Sequence, residues 1–281
     1  MDFWVLGGDR RQQALAELLS ADGHRVTCFA LGGGRDSLDL IGQADCVVLP
    51  MPVSREPGLL FAPGAEGPVP LEPIFSGLSR RSFLCGGRVS PTVKRMAAGE
   101  NLIIEDYFER EELAVANAVP TAEGAVRMAM ELMPVTVHRS RVLILGFGRV
   151  GQAAALRFRA LGAEVTAAAR RPEVLALAEG LGCQAQRLGA VSGAERFDLV
   201  VNTAPAPVAG RAFLAQLRRG CPVIDLASDP GGVDLAAAEE LGLRALRAPA
   251  LPGKEAPKTA GAAIRDTIYH MLEEREVSFG E

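Results

Sequence analysis

The sequence predicts an α/β protein of two doubly wound parallel-sheet domains with a cleft between them. Three observations carry this prediction. Short apolar segments of strand character alternate with helical stretches along most of the chain, the rhythm of β-α-β units. The 281 residues exceed what one compact core usually holds, so two domains are expected. Within residues 142–169, a strand, a glycine turn, a helix and a second strand follow one another directly, which marks the domain as Rossmann-like.

The first domain is expected over residues 1–120. Phe3–Leu6 reads as a strand ending at Gly7-Gly8-Asp9-Arg10, and a helix runs from Arg11 to Ala21 with Ala14, Leu15, Leu18 and Leu19 on one face. Gly23-His24 closes that helix. Val26–Phe29 and Asp45–Leu49 are the next strands, the latter entering Pro50-Met51-Pro52-Val53-Ser54. The Pro- and Gly-rich stretch Glu56–Pro73 reads as an excursion without regular structure. Ser82–Gly87 and Asn101–Glu105 add two more strands, so the loops after Leu6, Leu49 and Leu84 should face one side. In the charged segment 106–124, Thr121 is the expected N-cap of a long helix carrying Val126, Met130 and Met133 inward. Asn117, Thr121 and Glu123 are candidates to face the cleft, because they sit where the domains should meet.

The second domain is expected over residues 121–257. The apolar run Val142–Leu145 feeds into Gly146-Phe147-Gly148-Arg149-Val150-Gly151, and a helix follows from Gln152 to Leu161. Gly146 makes the tight turn, Gly148 lets a pyrophosphate approach the backbone, and Gly151 lets helix and strand pack closely. The helix presents its free amides and positive dipole end to the phosphates. An NAD-binding unit usually places an acid roughly 20 residues past the glycines to hold the ribose hydroxyls. This chain instead reads Arg170-Arg171 after the strand Glu164–Ala169. A guanidinium grips a 2′-phosphate that a carboxylate would repel, so Arg170, and with it Arg171, indicate NADP. Later strands end in Thr203-Ala204-Pro205, in Ala227-Ser228, and in the loop Leu251-Pro252-Gly253-Lys254. Those loops follow strand carboxyl ends, where open parallel sheets bind ligands, and the prolines before Lys254 should fix it there. Asp225 is expected to be buried and hydrogen-bonded rather than catalytic.

Composition narrows the partners. A net charge of −4 without a basic block argues against nucleic acid, and the start lacks the pattern of a signal peptide. No apolar run reaches the ~20 residues that span a bilayer, so a cytoplasmic location is expected. Cys28, Cys46, Cys85, Cys183 and Cys221 are scattered, which suits reduced core thiols better than a metal site. Homo-oligomerisation stays open.

Several stretches together resemble the dipicolinate synthase A-protein family of spore-forming bacteria. They are Gly7–Arg10, Leu49–Ser54, Asp106–Leu113, Asn117–Gly124, Gly146–Gly151, Asp225–Asp234 and Leu251–Gly261. The insert between Ser54 and Pro73 departs from the family pattern. The resemblance implies a two-domain, formate/glycerate-dehydrogenase-like architecture whose C-terminal helix, residues 258–275 here, packs back on the first domain. It also implies work beside a flavoprotein-like dipicolinate synthase B subunit in the mother cell during sporulation. The chemistry implied is dehydration of 4-hydroxy-tetrahydrodipicolinate and oxidation of the product to pyridine-2,6-dicarboxylate. Such a dicarboxylate needs cationic and hydroxyl donors, for which Arg10, Ser54, Arg110 and Lys254 are candidates, with Asn117 and Thr121 beside them. For proton transfer the candidates are Lys254, Asp106 and Glu123, because His24, His138 and His270 lie in turns or in the C-terminal helix. Two other readings stand beside this one. A hydroxy-acid or shikimate-type dehydrogenase would share the NADP unit but should show a Lys–Asp or Arg–His pair. A non-catalytic NADP-binding regulatory subunit would keep only the fingerprint.

Overall fold

A computed structural model of the chain describes residues 1–32 and 37–280, the side chains from 276 onward excepted. The chain divides into two compact units, one of Met1–Asn117 with Ala256–Glu281, the other of Ala118–Glu255. Among the described residues no helix is long and apolar enough to cross a membrane.

The first unit alternates β1 (Asp2–Leu6), α1 (Arg10–Ala21), β2 (Arg25–Phe29), β3 (Cys46–Val48), α2 (Leu71–Gly77), β4 (Phe83–Gly86), α3 (Pro91–Gly99) and β5 (Ile104–Asp106). Its five strands are all parallel, in the order β2-β1-β3-β4-β5. The sheet is apolar on both faces, as a covered parallel sheet must be. Phe3, Val5, Cys46 and Val48 pack with Leu15 and Leu19, while Trp4, Leu6, Val47 and Leu49 pack with Ile74, Phe75 and Val93. The stretch Glu56–Pro70 has no regular element beyond a bridge between Leu59 and Pro70, yet it delivers Leu60 to the core.

A single helix α4 (Glu111–Leu132) contains the point where the two units divide. It starts ten residues before the expected N-cap, so Thr121 lies in its interior. Pro120 removes one backbone hydrogen bond but does not stop it, and Glu111 and Glu112 favour the true start through the helix dipole. Its buried face is also smaller than expected. Ala122, Ala125, Ala129 and Met133 face the core, whereas Met130 is exposed.

The second unit continues with β6 (Arg141–Leu145), α5 (Arg149–Ala160), β7 (Glu164–Ala169), α6 (Pro172–Gly180), β8 (Gln184–Arg187), β9 (Leu199–Asn202), α7 (Arg211–Leu214), β10 (Val223–Asp225), α8 (Leu235–Glu240) and β11 (Ala245–Arg247). The six parallel strands run β11-β10-β9-β6-β7-β8. Numbered from β6, this is the 3-2-1-4-5-6 order of dinucleotide-binding sheets, with its switch point between β6 and β9. Leu251–Lys254, expected as a proline-fixed loop, forms a one-turn helix α9 (Leu251–Glu255) instead. Pro252 is accommodated there because the first turn of a helix does not use that N–H.

The last helix, α10 (Pro257–Gly280), lies on α1 within the first unit and buries Ile264, Ile268 and Met271. A Cβ added at Gly261 would come 2.9 Å from the Arg11 carbonyl oxygen, so the two helices meet at backbone distance.

Candidate functional site

The glycine turn after β6 combines two constrained glycines with one that is not. Gly146 has φ +90°, and a Cβ there would meet Thr203 Oγ1 at 2.7 Å. A Cβ at Gly151 would fall 2.4 Å from the Gly146 carbonyl oxygen, so that position enforces close helix–strand packing. Gly148 differs. Its φ of −80° suits any residue, and a Cβ there would have no neighbour within 4 Å. The fold gives no reason for glycine at 148; an approaching ligand would. Gly148 is also the N-cap of α5 and supplies no side-chain cap, which leaves the first amides of a twelve-residue helix open to an anion. Arg149 is exposed and Val150 half-buried in the first turn.

The neighbouring strand ends hold this turn in place. Thr203 Oγ1 donates to the carbonyls of Leu145 and Gly146, 3.1 Å from each. Asn202, fully buried, donates from Nδ2 to Asp225 Oδ1 at 2.7 Å and to the Ala204 carbonyl at 3.1 Å, and its Oδ1 accepts from the Ala204 amide. Asp225 is 1% exposed and also accepts from the amides of Ala227, Gly232 and Val233, as expected of a buried carboxylate. Ala204, Pro205 and Ser228 thus sit on loops anchored from below. Leu251, expected beside a cofactor, is 3% exposed and packs in the core.

Arg170 follows the last residue of β7 and is exposed, with no ion pair or side-chain hydrogen bond among the described residues. Arg171 is the N-cap residue of α6 and pairs with Glu173 at 3.3 Å. Glu123 pairs with Arg157 at 3.3 Å, and Lys254 is exposed.

In the first unit, the loops after β1, β3 and β4 converge at the carboxyl edge of the sheet. Cβ atoms at Gly8 and Gly87 would meet Pro50 at 3.0 Å and Met51 at 2.6 Å. The turn before α1 is closed by its own side chains. Asp9 caps the helix by accepting from the Arg11 amide at 3.0 Å. Arg11, 7% exposed, grips both Asp9 oxygens and donates to the Met51 carbonyl at 2.8 Å. Burial acts to raise the Asp9 carboxyl pKa, but the hydrogen bond and charge of Arg11 outweigh it and hold it below the usual value. Arg11 and Asn202 escaped sequence reasoning; the available signal was a polar residue flanking an apolar strand or helix.

Other expected site residues of this unit are engaged structurally. Asp106 accepts from the amides of Arg88, Val89 and Phe108, fixing the loop after β4, so proton abstraction by it would compete with three donors. Arg110, expected at a substrate carboxylate, makes two bonds to Glu274 on α10 and one to Glu112. Ser54 donates its hydroxyl proton to the Glu56 carbonyl. Arg10 is exposed at the start of α1, and Asn117 and Thr121 are half-buried on successive turns of α4.

Two parallel α/β units, the second carrying this glycine turn at its switch point, define a protein of the two-domain dehydrogenase-like class. The family model for the N-terminal domain of the dipicolinate synthase A protein matches residues 2–108, and that for the C-terminal domain of alanine dehydrogenase/PNT matches residues 114–239. The dipicolinate synthase A protein of Bacillus subtilis (strain 168) is 30% identical over 299 residues, covering 99% of this chain and 97% of that protein. The crystal structure of the corresponding dipicolinate synthase protein from Bacillus halodurans superposes with a TM-score of 0.88 at 31% identity, over 96% of this chain and 97% of that one. A transhydrogenase from Sinorhizobium meliloti shares the fold at a TM-score of 0.73 and 16% identity, over 98% and 94% of the two chains. The chain belongs to the dipicolinate synthase A-protein family.

Proposed function

We propose that this chain is an NADP-dependent oxidoreductase subunit forming dipicolinate from 4-hydroxy-tetrahydrodipicolinate, beside a flavoprotein-like dipicolinate synthase B subunit in the mother-cell cytoplasm during sporulation. The observation that carries the nucleotide part is Gly148, a glycine that the fold does not need, at an uncapped helix start. The α5 amides would take the pyrophosphate, the Thr203–Pro205 and Ala227–Ser228 loops would flank the ribose and nicotinamide, and Arg170 would take the 2′-phosphate. When bound, the nicotinamide would remove two electrons and one proton as hydride from the dihydropyridine formed by water loss, the second ring proton passing to a base or to solvent. Of the cations that the sequence offers for the substrate carboxylates, Arg10 and Lys254 are exposed, whereas Arg110 is bonded to Glu274 and Glu112. Gain of the aromatic ring supplies driving force, so the protein's contribution is chiefly orientation.

The test is an assay of purified chain with the cyclic precursor and NADP, with and without the flavoprotein-like partner. Dipicolinate and NADPH formed in equal amounts by the chain alone support this reading. NADP binding without turnover, even with the partner present, would make the chain a regulatory subunit.

A further inference from the structure

We infer that Arg187 is a second clamp for the 2′-phosphate of the nucleotide, taking the part that adjacency in sequence suggests for Arg171; this rests on the NADP reading above. β8 ends at Arg187, and its register on β7 sets Arg187 beside Ala169, one residue before Arg170. Adjacent strands lie about 4.8 Å apart, well within the reach of two arginine side chains toward one anion. Both residues are exposed, and neither has an ion pair or side-chain hydrogen bond among the described residues. The other arginines of this edge are engaged. Arg171 pairs with Glu173, Arg247 pairs with Asp229, and Arg149 also has an interaction.

The backbone under Arg187 is held on both sides. The Leu188 amide donates to the Ala169 carbonyl at 2.9 Å, and the Ala190 amide donates to the Arg187 carbonyl at 3.0 Å. Gln186 Oε1 accepts from the Ser192 amide at 2.8 Å, closing the loop beyond. A cation on so fixed a platform loses little backbone entropy on binding. The phosphate-binding carboxyl edge is the side on which β7 and β8 both end, and a dianionic phosphate can accept from two guanidinium forks at once.

Calorimetric titration of the full chain with NADP, NAD, 2′,5′-ADP and 5′-AMP tests this. In Arg187→Gln, affinity for NADP and 2′,5′-ADP should fall roughly tenfold while NAD and 5′-AMP are unchanged, the loss expected for one charge-assisted contact. Equal loss for all four ligands, or no loss for any, overturns the Arg187 assignment. Arg170→Gln distinguishes the two levels of inference. If it discriminates between the ligands and Arg187→Gln does not, only Arg187 leaves the site. If the unsubstituted chain itself binds 2′,5′-ADP no better than 5′-AMP, the NADP reading fails, and the Arg187 assignment with it.

Discussion

Both units contain a strand, a glycine turn and a twelve-residue helix in succession, yet they treat the start of that helix in opposite ways. In the first, Asp9 caps α1, Arg11 neutralises Asp9 and ties it to Met51, and Gly8 packs on Gln12 and Pro50. In the second, α5 has no side-chain cap, and Gly148 faces open space. The same βαβ opening is therefore a self-sealed structural corner in one sheet and an open, uncapped helix start, the proposed anion cradle, in the other. A glycine motif by itself does not say which. The room around each missing Cβ does.

Substitutions can break this contrast, beginning with the largest effect. Gly151→Val drives a side chain into the Gly146 carbonyl, and should destabilise the second unit by about 3 kcal/mol in urea titrations followed by circular dichroism. Gly148→Val should leave that midpoint within about 0.5 kcal/mol of the parent. It should weaken dinucleotide binding on the order of 100-fold, about 3 kcal/mol, because it fills the cradle. Retained micromolar binding by Gly148→Val would erase the difference between the two turns.

Asp9→Ala is the corresponding change in the sealed turn. It removes a cap and leaves Arg11 without its carboxylate, at a cost of about 2 kcal/mol in stability and none in nucleotide affinity. Its pH dependence follows from the sign of the shift. Asp9 has a folded-state pKa below its unfolded value, so its contribution is present above about pH 4 and is lost as pH falls through the lowered value. Acid unfolding of the parent and Asp9→Ala should therefore converge below about pH 4 and separate above it. Curves that stay parallel throughout would remove the Asp9–Arg11 plug from the account.

A last change, of similar size, sharpens the open turn. Arg170→Asp should cost NADP about 2 kcal/mol while sparing NAD. Equal effects on the two nucleotides in calorimetry would detach Arg170 from the 2′-phosphate.

The apolar central strands were the most legible part of the fold. β7 was read at its true ends, and β1 and β6 within one residue, because buried parallel strands are continuous apolar runs bounded by glycine or charge. The edge strand β2 was also read within one residue, because Val26, Cys28 and Phe29 are apolar and Gly23-His24 marks the turn before them. β8 was missed, since Gln184-Ala-Gln-Arg187 is an edge strand with no buried residue and no hydrophobic pattern. The start of α4 was missed because Pro120 looks like a stop in a one-dimensional reading, while helix dipole and alanine content outweigh one lost bond. At the candidate site, glycine spacing marked the turn, but not that Gly148 alone has free space around it. Nor could spacing show that Arg110 and Asp106 are occupied by partners, since those bonds form only once distant segments meet.

The return of α10 to α1 has a consequence for how the chain comes into being. The second unit is one uninterrupted segment, Ala118–Glu255, and all its sheet and helices have been synthesised before α10 exists. The first unit starts earlier but lacks Ile264, Ile268 and Met271, which cover Leu15 and Leu19, until α10 has been made. The half that is made first is thus the half that finishes last, with its α1 face bare in the interval. Protease digestion of ribosome-bound chains of increasing length should show protection of the second unit before the first; simultaneous protection of both would contradict that order.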